Sequence, residues 1–301
     1  MNTDQSKLIS GYIAYIQFEK GLSKNTLDAY LRDLNKLLLF SADIDKPIIY
    51  LTLDDLHQFI ARLHDNGLTA RSKKRIISGI KSFYKYLIIE DYMENDPSEL
   101  LESPKLGLQL PDVLSIDEID ALMEAVDLSK PEGIRNLAIF EVLYSCGLRV
   151  SELLDLKISD IYFNEEFIRI NGKGDKQRLV PISEIALERI KDYLTDREKL
   201  PIKPQYSDIV FLSVRGRQLT RMRVFKIIKD CALIANIKKT ISPHTFRHSF
   251  ATHLLEHGAN LRVIQQLLGH ERISTTEIYT HLDKSFLRKE ILEHHPRNKK
   301  H

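Results

Sequence analysis

Apolar residues recur at three- and four-residue spacing along most of the 301-residue chain, which is the pattern of amphipathic helices. One stretch departs from this spacing. Residues 166–170 and 178–182 are runs of strand-forming residues, and they flank the Gly-rich segment Asn171–Lys176. We therefore predict a mainly α fold that contains one small antiparallel hairpin.

Clusters of proline and glycine predict two domains, and the chain is long enough for each to bury its own core. Residues 1–103 carry four or more helical segments, which predict an N-terminal helical bundle. A linker is expected over residues 104–113, where proline and glycine interrupt the apolar spacing. Residues 114–301 begin with a capping box at Ser115–Glu118 and predict an α-rich domain that carries the hairpin. In this domain we also expect a short strand at Ile209–Leu212.

Charge balance and cysteine content narrow the class of protein. The net charge is only +2, so a nucleic-acid-binding surface would have to come from the distribution of the 44 lysines and arginines. Cys146 and Cys231 cannot build a disulfide framework, and they fit a reducing cytoplasm. No signal-peptide pattern is present, and no apolar run approaches the roughly 20 residues that span a bilayer. We expect a cytoplasmic protein without membrane insertion.

Two basic clusters are candidate contacts to a DNA backbone. The first occupies the fourth predicted helix, and the second opens the helix that ends at Ile234. For the first cluster a solvated helix surface is the alternative, and it is favoured for such a run taken alone. The candidate residues are Arg71, Lys73, Lys74, Arg75 and Lys81 in the first cluster, and Arg215, Arg217, Arg221 and Arg223 in the second.

Residues 242–279 combine side chains that handle phosphate. His244 and Arg247 lie three residues apart on one predicted helix, His270 follows the glycine that ends the next helix, and Tyr279 comes nine residues later. Arginine presents a planar fork of donors to phosphate oxygens, and histidine donates or moves a proton near neutrality. A tyrosine phenol, with its pKa of about 10, needs nearby cations and a base to attack phosphorus. The set predicts a covalent phosphotyrosine intermediate.

Two simpler interpretations of these histidines compete with that prediction. The pairs His244/His248 and His253/His257 have the i,i+4 spacing of zinc ligands, but the two pairs face opposite sides of a helix and no H-E-x-x-H motif is present. The other alternative is that each residue simply lies on a solvated helix face.

Three further residues upstream complete the set. Arg149 follows the helix-breaking Gly147, so its side chain is expected at a helix junction, where Glu152 could hold the guanidinium. A surface ion pair without function is the alternative. Lys173 lies between two glycines at the hairpin tip, from which it could enter a groove and donate a proton. The segment lacks the P-loop pattern, which argues against nucleotide hydrolysis.

The ordered combination of motifs resembles the tyrosine recombinase (phage-integrase) family, and within it the Xer-type members. The resemblance extends over essentially the whole chain and rests on GLRVSELL, GKGDKQRLVPI, RHSFATHLLEHGANLRVIQQLLGH and STTEIYTHL. It implies a SAM-like core-binding domain, followed by the catalytic fold that these recombinases share with type IB topoisomerases.

The resemblance also implies a role for each residue. Tyr279 would be the nucleophile that forms a 3′-phosphotyrosyl link, with Arg149, Arg247 and His270 holding the non-bridging oxygens. Lys173 would be the general acid, and His244 would assist proton transfer. No metal and no other cofactor is implied, and the sequence has no carboxylate cluster typical of Mg²⁺ nucleases.

The implied partners are double-stranded DNA with a specific site, a paralogous recombinase that completes a heterotetramer on two DNA sites, and in many Xer systems a septal DNA translocase. The expected function is resolution of chromosome dimers at a dif-type site. A mobile-element integrase, a type IB topoisomerase and a DNA-binding module without catalysis are alternatives. The helix after Tyr279 is expected to dock on a neighbouring protomer or on its own domain.

Overall fold

The computed structural model describes residues 3–20, 22, 24–104, 112–172, 177–269 and 284–298. The chain forms two compact units, Met1–Gln109 and Leu110–His301. Within the described ranges, no helix is long and apolar enough to cross a membrane.

The first unit is built from helices whose starts are fixed by polar caps. Thr52 and Thr69 each accept a hydrogen bond from a backbone N–H of the first turn that follows. Buried aromatic residues fill the core between the helices, with Tyr12 packed edge-on against Phe83. The helices are α1 Thr3–Ala14, which continues into a π-helical turn at Tyr15–Glu19, α2 Lys24–Asp43, α3 Leu53–Asp65 and α4 Ala70–Ile89.

The second unit places a small sheet beside a larger set of helices. The three strands are antiparallel in the order β1-β2-β3, and Ile168 pairs with Val180. The mainly helical fold with a small antiparallel sheet is therefore confirmed. Its elements are α5 Ile116–Glu124, α6 Gly133–Cys146, α7 Val150–Leu154, β1 Ile161–Tyr162, β2 Phe167–Asn171, β3 Gln177–Pro181, α8 Glu184–Arg197, α9 Arg221–Ile234, α10 Pro243–Glu256, α11 Leu261–Leu268 and α12 Lys284–His294.

Helix α6 is the centre of this unit because nearly all of it is buried. It ends at Gly147, which adopts a left-handed conformation with φ of 57°. A side chain here would be strained by the backbone, and its Cβ would also lie 2.4 Å from the ring of Phe250 on α10. The chain therefore turns sharply at Gly147 and starts α7 three residues later.

The expected strand at Ile209–Leu212 is wrong. Only isolated bridges form there, between Lys157 and Ile209 and between Leu212 and Gln218. The segment is apolar because it is buried, and its N–H groups find scattered partners: Val210 donates to the carbonyl of Leu156, and Leu212 donates to the hydroxyl of Tyr193. A short apolar run does not distinguish such a buried connection from a strand.

The C-terminal helix α12 packs on its own unit. Leu287 and Ile291 are buried in the core of that unit, as the amphipathic pattern predicts. Beyond the helix, the His295 ring is fully buried and packs 4.8 Å from the Tyr144 ring, measured between centroids. Arg297 then forms an ion pair of 2.7 Å with Asp120.

Candidate active site

The first part of the site lies at the junction between α6 and α7. Arg149 is the N-cap residue of α7, so its side chain is held where the helix begins. Its backbone N–H donates to Oε2 of Glu152 and its Nη1 donates to Oε1 of the same carboxylate, both over 2.8 Å. Nη2 donates to the carbonyl of Gly269 over 3.2 Å. The expected contact between Arg149 and Glu152 is present, and 39% of the Arg149 side chain remains exposed.

Arg247 reaches the same place from the middle of α10. Its Nη1 donates to the carbonyl of Gly147 over 2.8 Å, and its Nη2 donates to the carbonyl of Leu268. These carbonyls belong to the C-terminal ends of α6 and α11, where the helix dipole favours a cation. Burial, and then the nearby charge of Arg149, lowers the pKa of Arg247 to about 10, so this guanidinium is still charged at neutral pH.

Sequence reasoning missed a third arginine, Arg178, on β3. Its Nη1 and Nη2 donate to the two oxygens of Glu152, each over 2.9 Å, and its Nε donates to the carbonyl of Leu267 over 2.9 Å. Burial would raise the pKa of Glu152, but the hydrogen bonds and charge of Arg178 and the hydrogen bonds from Arg149 outweigh it, so the pKa is lowered. The only sequence signal was an arginine at the start of the otherwise apolar run 178–182.

Of the other predicted catalytic residues, the structure describes only His244. His244 is exposed in the first turn of α10, one turn before Arg247, and has no hydrogen-bond or ion-pair partner among the described residues. Lys173, His270 and Tyr279 lie outside the described residues. The structure therefore brings together Arg149, Glu152 and Arg247, and adds Arg178.

The zinc alternative has no support in the described ranges, which contain no group of side chains able to hold a metal ion. His253 is buried, and its Nδ1 lies 2.8 Å from the hydroxyl of Tyr144. Burial lowers the pKa of His253, which fits an uncharged ring in the core.

The basic residues of α4 divide into two groups. Arg71 and Lys74 are exposed, and within the described ranges their side chains have no hydrogen-bond or ion-pair partner. Arg75 instead places Nη1 2.7 Å from Oδ2 of the buried Asp33 on α2. Lys73 contacts the ring of His64, and Lys81 donates to the carbonyl of Glu99. Arg71 and Lys74 are thus the members best placed to meet a phosphate.

The second basic cluster surrounds a surface pocket of about 420 Å³. Arg215 and Arg217 are exposed on its rim, and Arg223 lines it while pairing with Glu132 over 3.1 Å. Arg221 is exposed at the first position of α9. Backbone N–H groups at this helix start add to the positive potential.

Comparison with known proteins agrees with this geometry. Residues 112–285 match the phage integrase family, and residues 9–91 match the phage integrase N-terminal SAM-like domain. The tyrosine recombinase XerD of Staphylococcus saprophyticus is 44% identical over 292 residues, which cover 96% of this chain and 99% of the relative. XerD of Staphylococcus aureus (strain N315) is 43% identical over 291 residues, with the same shares of the two chains.

Solved structures give the same result for the fold. XerH site-specific recombinase bound to difH substrate, in a pre-cleavage complex, matches with a TM-score of 0.67 and 26% identity, over 87% of this chain and 78% of that one. A lambda integrase dimer bound to a COC′ core site matches with a TM-score of 0.68, over 89% of this chain and 95% of that one. At 20% identity the second match shows the fold alone.

The chain belongs to the phage integrase family of tyrosine recombinases. Within that family it is of the XerD type. It is a site-specific DNA recombinase that cuts and rejoins DNA.

Proposed function

We propose that this recombinase resolves chromosome dimers at a dif-type site through a 3′-phosphotyrosyl intermediate on Tyr279. The observation that carries the proposal is the convergence of Arg149 and Arg247 beside one buried carboxylate. Two guanidiniums held by the hydrogen bonds that they donate to fixed groups suit a phosphodiester with two non-bridging oxygens. The kinship with XerD and the match to a recombinase bound to difH substrate support the choice of DNA site.

In the cleavage step the phenolic oxygen of Tyr279 attacks the scissile phosphorus, and the bond from phosphorus to the 5′ oxygen breaks. His244, exposed one turn before Arg247, assists the removal of the phenol proton, and Lys173 gives a proton to the leaving 5′ oxygen. The 5′ hydroxyl of the exchanged strand then attacks the phosphotyrosine and releases Tyr279. The phosphodiester energy stays in the protein–DNA link, so the reaction consumes no nucleotide.

Arg149 and Arg247, together with a donor from His270, stabilise the charge that develops on the phosphate oxygens. Both arginines are fixed before DNA arrives, so little reorganisation is needed in the transition state. Removal of one such donor costs about 2.7–4 kcal/mol in an acyl-transfer oxyanion hole, which sets the scale expected for Arg247→Ala.

The assembly follows from the same kinship. A paralogous recombinase would supply the other two protomers of a heterotetramer on two DNA sites, and a septal DNA translocase would activate the exchange in the cytoplasm. The exposed Arg71 and Lys74 on one unit, with Arg215 and Arg217 on the other, would neutralise backbone phosphates.

The test uses a dif-type DNA nicked near the cleavage point, so that the freed fragment diffuses away and attack becomes irreversible. A denaturing gel should show a protein–DNA adduct with the native protein, alone or with its paralogue, and none with Tyr279→Phe. A gel-shift assay should show unchanged DNA binding by that variant.

Three results would contradict the proposal. An adduct that persists with Tyr279→Phe would show that Tyr279 is not the nucleophile. Relaxation of supercoiled plasmid without a specific site would indicate a type IB topoisomerase. Adducts on transposon ends and none on dif-type DNA would indicate a mobile-element integrase.

A further inference from the structure

Arg178 ties together three separate segments of the active site. It lies on β3 and contacts Glu152 near the start of α7 and the carbonyl of Leu267 at the end of α11. We infer that Arg178 is a positioning residue for DNA cleavage, acting through Glu152 on Arg149 and through Leu267 on the segment that carries His270. The inference rests on the proposed roles of Arg149 and His270.

The carboxylate of Glu152 is fully bonded by two arginines. Each oxygen of its carboxylate accepts one bond from Arg178 and one from Arg149. The carboxylate is almost fully buried, so it cannot turn to water for a replacement partner. Without Arg178 it would be free to rotate towards Arg247, whose Nη1 is 3.9 Å from Oε2. The orientation of the Arg149 guanidinium would then no longer be fixed.

Arg178 also contacts the end of α11. Gly269 has a left-handed conformation with φ of 64°, and a Cβ built there would lie 3.3 Å from Nη1 of Arg178. The guanidinium thus packs directly on the turn that ends α11, while its Nε holds the carbonyl of Leu267. The next residue in the chain is His270. Arg178 therefore holds the end of α11, directly before His270 in the sequence.

Geometry explains why this position needs arginine. A planar guanidinium makes two parallel bonds to a carboxylate and keeps Nε for a third acceptor, whereas the lysine ammonium is a single point charge. Arg178→Lys would keep the charge and lose the set of three hydrogen bonds to Glu152 and Leu267. Arg178 is only 14% exposed and contacts protein groups with all three nitrogens, so we do not assign it to DNA binding.

The same sheet offers a matched control. Arg169 on β2 pairs with the buried Asp160, with Nε 2.7 Å from Oδ1, and shows no hydrogen bond or ion pair to those site residues that the structure describes. Arg169→Leu also removes an arginine–carboxylate pair from this sheet, one that engages a single carboxylate oxygen. It therefore reports the effect on the sheet alone.

The experiment measures single-turnover cleavage of the nicked dif-type substrate at saturating protein, with DNA affinity measured separately. Arg178→Leu and Arg178→Lys should both lower the cleavage rate about 10–100-fold, by analogy with the range typical when hydrogen-bond partners of metal ligands are lost. DNA affinity should change less than about 3-fold, because a positioning defect acts on the chemical step. Arg169→Leu should cleave at the native rate.

A double-mutant cycle separates positioning from general stability. In the Glu152→Gln background, Arg178→Leu should lower the rate much less than it does in the native protein, because the two residues act as a unit. Equal effects in both backgrounds would overturn the inference. Full activity of Arg178→Lys, or an equal loss in Arg169→Leu, would also overturn it. If the native protein forms no adduct while binding the site, the proposed function itself fails.

Discussion

Replacing Gly147 with alanine should destabilise the second unit and slow cleavage together. Gly147 has φ of 57°, a conformation that costs an L-residue roughly 1–2 kcal/mol. The added Cβ would also lie 2.4 Å from the fully buried ring of Phe250, which must move. Overpacking of this kind costs roughly 1–3 kcal/mol. The free energy of unfolding should therefore fall by about 2–5 kcal/mol.

The carbonyl of Gly147 makes this a functional test as well. It accepts the bond from Nη1 of Arg247, so a shifted backbone should misplace that guanidinium. Cleavage of nicked DNA should slow even at a temperature where Gly147→Ala remains folded.

Gly258→Ala is the matched control. Gly258 also follows a helix with positive φ, 94°, but the nearest atom to its built Cβ is on His294, 3.8 Å away. Only the backbone strain of about 1–2 kcal/mol should apply there. The urea dependence of amide exchange in α6 measures the stability of this unit without contribution from the first one. Equal destabilisation by the two substitutions would refute the reasoning from the Phe250 contact.

Two further predictions concern buried ionisable groups. Burial lowers the pKa of His295 to about 3, so below the unfolded value of 6.5 the unfolded chain binds the extra proton and stability falls as the pH drops. Between pH 7.5 and 5 this group should remove about 2 kcal/mol, and urea titrations should show a smaller pH effect in His295→Phe. Arg75→Leu should destabilise the first unit by about 1–3 kcal/mol because the buried Asp33 loses its cation, whereas Asp33→Asn in that background should restore stability. Lys74→Ala should leave thermal stability unchanged and lower the salt dependence of DNA binding. A loss of thermal stability with an unchanged salt dependence would refute the assignment of Lys74 to the unpaired basic residues of α4.

The sequence predicted the fold correctly where residues within a few positions of one another decide the structure. The helix start at the capping box Ser115–Glu118 and the helix end at Gly147 followed from residue type alone, because caps and left-handed turns are decided within a few residues. The segment Ile209–Leu212 was assigned wrongly because buried connections and strands share the same apolar composition.

The site was predictable where its residues lie close together in the chain, as Arg149 and Glu152 do. Arg178 was not found because its partner is 26 positions away and nothing in the local pattern marks the contact. The pairing of Arg75 with Asp33 was missed for the same reason, since a helix face cannot be divided into solvent-facing and partnered cations without the neighbouring helix. Which basic residues meet DNA stays a prediction.

The charges around Glu152 predict that its substitution changes the cleavage rate without weakening DNA binding. Three guanidiniums, those of Arg149, Arg178 and Arg247, surround this one carboxylate, which leaves an excess of two positive charges among these four groups. Glu152→Gln would raise that excess while keeping a side chain of nearly the same shape. A phosphate should then bind as tightly as before or more tightly, since the local potential becomes more positive.

Cleavage should nevertheless slow, because a neutral amide has one acceptor oxygen and two N–H donors that point at guanidinium donors. Arg149 and Arg178 would lose part of their anchoring, and transition-state stabilisation would fall although attraction for DNA does not. The measurement is the DNA dissociation constant at several salt concentrations beside the single-turnover rate. Weaker DNA binding at an unchanged cleavage rate would contradict this prediction. Glu152 would then determine DNA affinity and not the position of the arginines.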